Sequence, residues 1–209
     1  MLGRGFDPAF LLYLGIALVV AATVHEFAHA YVADRLGDPT PRSQGRLTLN
    51  PLAHLDPLGT LLILLAGFGW AKPVQINPAN FRDWRRDSII VAAAGPLANV
   101  TLLFVLGVPY KLGLLEGGPL GVSSVSRLLL VMIQINAMLA VFNLIPVPPL
   151  DGSKILMGLL PPTQAVSYAR LQPYGVLILL LLVMTRSLGV VVVGPMQWLI
   201  AQATGSGFF

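Results

Sequence analysis

Long apolar runs, separated by polar stretches rich in proline and glycine, set the pattern of this chain. Residues 8–36 read as a helix, with Pro8 suited to a first turn and Gly37 to a C-cap. Such a helix is about 40 Å long, enough to cross a bilayer. Residues 38–57 are rich in Pro, Gly and Asn and read as loop, with strand-like alternation at 45–49. The apolar run 58–70 is too short to cross as a helix and reads as a re-entrant or interfacial segment. Residues 72–76 read as a second strand, with Pro73 favouring a sheet edge. Residues 81–87 are amphipathic and charged, with Trp84 suited to the membrane interface.

A second span is expected at about 89–108, where Ala94-Gly95-Pro96-Leu97-Ala98-Asn99 offers small residues for close helix packing. Residues 111–126 form a polar connection, and a third span at 127–145 is stopped by Pro146, Pro148 and Pro149. A short helix at 151–160 precedes Pro161-Pro162, and a fourth span follows at about 173–193. The tail after Pro195 is expected in the interface, and no internal repeat is visible. The pattern predicts an all-α polytopic membrane protein with about four spanning helices, a re-entrant segment and a small membrane-associated β-hairpin or sheet. Residues 1–209 read as one domain, with its core at about 8–160.

Composition agrees. Of 209 residues, 56% are hydrophobic and 11% charged, and the mean hydropathy is +0.78. Soluble domains carry about 25% charged residues. The deficit excludes intrinsic disorder and leaves too few polar side chains to cover a water-soluble globule. The net charge of +4 does not signal nucleic acid, because thirteen Lys and Arg spread along an apolar chain form no dense basic stripe. Seven of those thirteen are Arg35, Arg42, Arg46, Lys72, Arg82, Arg85 and Arg86. If 58–70 re-enters, both basic loops share one side, which the positive-inside rule makes cytoplasmic. Arg4 followed by an apolar run has the outline of a signal peptide. Against that reading, the helix pattern continues through Ala33 and carries His25, Glu26 and His29. With no cysteine, a metal must be held by His and carboxylate.

The sharpest signal is His25-Glu26-Phe27-Ala28-His29. Residues i and i+4 share one helix face, so both imidazoles can reach a single Zn2+, with Glu26 placed to act on water as general base. Ionisable residues inside a span are expensive and usually functional, although a polar patch can also hold helices together. A catalytic zinc usually takes three protein ligands. The membrane-embedded carboxylates are Glu26 and Asp151, and Asp151 follows the proline cluster that ends the third span. Asp151 therefore reads as the third ligand, as the N-cap of the helix from Gly152, or as both.

These residues together resemble the site-2 protease family of intramembrane zinc metalloproteases, in a minimal form without a PDZ or CBS segment. The resemblance is carried by the His-Glu-x-x-His pentad, by the Ala-Gly-Pro-Leu-Ala-Asn run, by Asn143, Pro146 and Asp151-Gly152, and by the loop from Asn50 to Gly59. It covers roughly 17–153. It implies one zinc on His25, His29 and Asp151, with Glu26 as catalytic base and then proton donor. It implies that Asn143 donates to the substrate backbone or to a developing oxyanion, unless it only bonds between helices. His54 would polarise the substrate carbonyl, occupy the open zinc position at rest, or be only a loop residue. Asn99 is expected to pack helices.

The implied reaction is peptide hydrolysis within or near the transmembrane segment of a single-span membrane protein. The implied setting is the prokaryotic cell (inner) membrane, with the site in the cytoplasmic half. The substrate must become extended, and the 46–49 and 72–76 stretches would offer it a strand edge. The alternatives are a zinc-binding membrane protein without protease activity, such as a transporter or pseudoenzyme, and a structural subunit without metal.

Overall fold

The computed structural model describes residues 7–56, 59, 72–115 and 124–205. The expected re-entrant segment at 58–70 lies outside them, Gly59 excepted. Helix α1 is Pro8–Arg35, started by Asp7, whose carboxylate accepts from the Ala9 N–H at 3.0 Å. The short α2 is Thr40–Ser43. Helix α3, Trp84–Lys111, begins earlier than expected, because Asp83 caps it through the Arg85 and Arg86 N–H groups. Its Pro96 and Pro109 sit inside the helix. Helix α4 is Ser124–Asn143, α5 Asp151–Leu159, α6 Pro162–Ala169, α7 Gly175–Met184 and α8 Ser187–Thr204.

Two expectations are corrected. Among the described residues, five helical segments, against about four expected, are long and apolar enough to cross a membrane: Pro8–Arg35, Trp84–Lys111, Ser124–Asn143, Pro162–Met184 and Ser187–Thr204. The expected fourth span breaks at Thr185 and at Arg186, which adopts left-handed backbone with φ 57°. The tail after Pro195 continues as helix α8 and packs on the bundle. Ile200 and Ala203 of α8 join Leu103, Tyr110, Leu115, Ile133 and Ala137 in a buried cluster with α3 and α4. A second cluster, Ala17, Ala21, Val131 and Ile135, joins α1 to α4.

The β-hairpin is likewise absent among the described residues, which hold only an isolated bridge position at Leu55. A side chain replaces the ladder. Arg46, buried, sends its guanidinium to the carbonyls of Ala53, Lys72 and Pro73, and the Lys72 N–H donates to the His54 carbonyl at 2.8 Å. Residues 72–77 are left without secondary structure beside α1.

The far end of that segment is held by Asp38, which is fully buried. Its carboxylate accepts from the Asn77 N–H and the Asn80 amide, each at 2.7 Å, and from the Thr40 hydroxyl at 2.6 Å. Burial opposes ionisation of Asp38, but these bonds outweigh it and hold the carboxyl below its ordinary range. Ala33, Phe81 and Val91 form an apolar cluster packed by Ile76 and Leu36.

Candidate metal centre

Along α1, roughly 15 Å of helix separates His25 from Arg35 and roughly 25 Å separates it from Pro8. The two histidines sit one turn apart on the face turned toward α3, both buried. Asp151 arrives from the opposite direction. The chain leaves α4 at Asn143, passes Pro146, Pro148 and Pro149, and starts α5 at Asp151 itself. Leu150 is the N-cap and no side chain caps this helix, so Asp151 is not the N-cap and its carboxylate is free for the histidines. Gly152 permits the approach, since a Cβ there would lie 2.6 Å from the Ile145 carbonyl oxygen.

The three groups meet. His25 Nε2 lies 3.1 Å and His29 Nε2 3.0 Å from Asp151 Oδ2, and the two Nε2 atoms are 3.0 Å apart. His25, His29 and Asp151 are the group of buried side chains able to hold a metal ion among the described residues. The donor chemistry tests the fit. His25 Nδ1 lies 2.7 Å from Asn99 Oδ1, and His29 Nδ1 lies 2.7 Å from the Val91 carbonyl oxygen. Both oxygens are acceptors, so in the neutral rings each Nδ1 carries the hydrogen. Each Nε2 then turns a lone pair toward Oδ2. Three lone-pair donors this close, without a hydrogen among them, are what a cation requires, and two imidazoles with one carboxylate are zinc ligands. Gly95 permits the helix contact, because a Cβ there would stand 2.7 Å from His25 Nε2 and nearer still to His29 Nε2.

A cavity of about 380 Å³ opens over the three groups, lined among others by Glu26, Val74, Ile76 and Asn143. Glu26 stays outside the triad and accepts the Val74 N–H on Oε2 at 2.9 Å. Asn143 also reaches the cavity. Its amide donates to Leu139 of its own helix at 3.0 Å rather than across helices. His54 is placed elsewhere. It is fully buried in its loop, its Nε2 lies 2.8 Å from the Thr48 carbonyl oxygen, and it does not line the cavity.

Four contributors escaped the reading of the sequence. Asn99 bonds a ligand rather than only packing helices. The Val91 carbonyl and the Val74 N–H are backbone groups, which sequence pattern does not advertise. Lys154 Nζ lies 3.2 Å from Asp151 Oδ1, one turn along α5. The signal for Asn99 was present, as an uncharged polar residue in an otherwise apolar span.

Comparison with known proteins gives the family. The profile described as peptidase family M50 matches residues 109–185, which include Asp151. A Bacillus subtilis (strain 168) protein named "Putative zinc metalloprotease YwhC" is 44% identical over 197 residues, covering 91% of this chain and 88% of its own. The chain belongs to peptidase family M50, the site-2 proteases. "Putative zinc metalloprotease Rip2" of Mycolicibacterium smegmatis is 34% identical over 192 residues, covering 85% of this chain and 71% of its own. Its namesake in Mycobacterium tuberculosis (strain ATCC 25618 / H37Rv) is 30% identical over 200 residues, covering 90% and 75%. No solved structure matches the chain. This M50 member is an integral membrane protein whose family metal is zinc, and its own His25, His29 and Asp151 fit that metal.

Proposed function

We propose that this protein is an intramembrane zinc endopeptidase that cleaves single-span membrane proteins within or near their transmembrane segment. The observation that carries the reading is one cavity lined by Glu26, His25 and His29 of a single spanning helix together with Asp151 of α5, the last three forming the metal-binding group. A transporter needs ligands but has no use for Glu26 in the lining of that cavity. We place the site in the cytoplasmic half of a prokaryotic cell membrane. The basic residues Arg35, Arg42, Arg46 and Lys72 cluster at the end of α1 nearer the ligands.

When bound, zinc supplies Lewis-acid chemistry, lowering the pKa of water and polarising a carbonyl. His25, His29 and Asp151 would hold it. Glu26 does the proton work. Its Oε2 is held by the Val74 N–H, which leaves Oε1 to take a proton from the attacking water. The water oxygen bonds to the peptide carbon, the C–N bond breaks, and Glu26 returns the proton to the leaving amine. Asn143, at the cavity wall, is placed to donate to the substrate backbone or developing oxyanion. The substrate lies extended along 72–76, where α1 meets a segment without secondary structure.

The test is reconstitution in lipid with a panel of single-span peptides, comparing the wild type with Glu26→Gln. The variant is expected to keep zinc and to lose cleavage by at least about 10²-fold. Product masses that put the cut far from any membrane segment, or equal cleavage by both proteins, would refute the proposal.

A further inference from the structure

We infer that Asn99 and Asn136 form a positioning relay that fixes the hydrogen of His25 on Nδ1 and so keeps Nε2 free for the metal. The inference rests on the reading of His25, His29 and Asp151 as zinc ligands. A side-chain amide has two faces, and rotation by half a turn exchanges its oxygen for its NH2. A flipped Asn99 would present hydrogens to His25 Nδ1. The ring would then have to accept there and carry its own hydrogen on Nε2, between itself and Asp151. A ring in that tautomer does not ligate through Nε2.

The surroundings decide which face is presented. Asn99 Nδ2 donates to the Ala21 carbonyl at 3.0 Å and to Asn136 Oδ1 at 2.9 Å. Both partners demand a donor, so a flipped Asn99 would set its oxygen against two oxygens. Asn136 is an amide too and needs an anchor of its own. Its Nδ2 donates to the Met132 carbonyl at 2.8 Å, which leaves Oδ1 for Asn99. A backbone carbonyl has no alternative face, so the direction of every bond is set from Met132 and Ala21 inward to His25.

Both asparagines are completely buried. A buried amide with an unsatisfied group is costly, and this arrangement leaves Asn99 with its oxygen and both amide hydrogens bonded. Asn136 touches neither the metal donors nor the cavity, yet it decides how Asn99 meets His25. His29 is an internal control, because its Nδ1 faces the Val91 carbonyl directly and needs no relay.

The experiment uses the full chain in lipid nanodiscs with 15N-labelled histidine. NMR of the metal-free protein reads the ring tautomers, and chelator competition reads zinc affinity. Asn99→Leu is expected to move His25 away from the Nδ1–H tautomer and to weaken zinc by about 10–100-fold. Asn136→Leu should move both in the same direction by less. Asn136→Asp, neutral in this fully buried site, keeps an oxygen that faces Asn99 and an O–H in place of the amide donor to the Met132 carbonyl, and should restore the wild-type tautomer and affinity. His29 should keep its tautomer in all three. If Asn99→Leu does not fold, the two Asn136 variants carry the test. Wild-type tautomer and affinity in Asn99→Leu would overturn the relay, and so would Asn136→Leu and Asn136→Asp behaving alike. Absence of zinc from the wild type would overturn the metal reading instead, while the tautomer comparison would still decide the relay.

Discussion

Gly95→Ala tests the metal centre through its tightest contact. The added methyl carbon would begin 2.7 Å from Nε2 and Cε1 of His25 and closer to Nε2 of His29. Ordinary contact starts at 3.4 Å, so α3 and α1 must separate by more than about 0.7 Å at this level, or the rings must tilt. Neither ring can tilt without loss, because each Nδ1 is held by a bond of 2.7 Å. Overpacking of this kind costs about 1–3 kcal/mol in stability. The cost to the metal should be larger relative to its own scale, since ligand distances must hold within about 0.2 Å. A weakening of about 100-fold or more in zinc affinity is expected, with unfolding only modestly easier. The assay is chelator competition for affinity, run beside thermal unfolding of the metal-free protein in the same detergent. Wild-type zinc affinity in a folded Gly95→Ala variant would refute the argument, because helices able to part so cheaply would not be setting the geometry of the donors.

Asp38→Asn should flatten the acid limb of stability. A carboxyl held below its ordinary range stabilises the fold above its unfolded pKa of about 3.9, and that contribution is lost as pH falls through the lower folded value. Thermal unfolding of the two proteins between about pH 2 and 6 checks this, and parallel curves would count against it. Val74→Pro removes the N–H that holds Glu26 Oε2. Hydrogen bonds to charged groups contribute about 1.5–3 kcal/mol, so peptide turnover should fall about tenfold or more while zinc content stays full. Arg46→Lys keeps the charge but not the fork that reaches three carbonyls. It should also slow turnover without releasing zinc, and turnover equal to the wild type would show that Arg46 does not set segment 72–77.

The parts of the structure legible in the sequence are those that lipid dictates. Helices α1, α3, α4 and α5 follow from long apolar runs and from prolines that end them, because backbone in hydrocarbon must bond to itself. The histidines at one-turn spacing and the aspartate after the proline cluster were legible for the same reason, since each is an expensive residue in an apolar setting. The break at Arg186 was hidden because hydropathy averaged over a window passes over a single left-handed residue. The expected strands failed differently. Alternation at 45–49 is real, but Arg46 lies inside that stretch and satisfies carbonyls that a ladder would have used. His54 sits in a loop similar to one the family carries, yet its ring faces Thr48. Motif proximity in sequence did not translate into proximity at the site.

Glu26 and the metal-binding group are therefore supported by different parts of the chain. The histidines are oriented from within the bilayer, by Asn99 and by the Val91 carbonyl of α3. Glu26 is oriented by the Val74 N–H, and the segment that supplies it is held by Arg46 at one end and Asp38 at the other, both buried and both beyond the end of α1. Burying a lone charge is expensive. Each of these two is retained by bonds to the very backbone it positions, so neither loop can drift without stranding a charge. It follows that damage to the membrane asparagines should appear first in zinc affinity, and damage to Arg46, Val74 or Asp38 first in turnover. A variant of Arg46 that lost zinc before it lost cleavage would contradict this division.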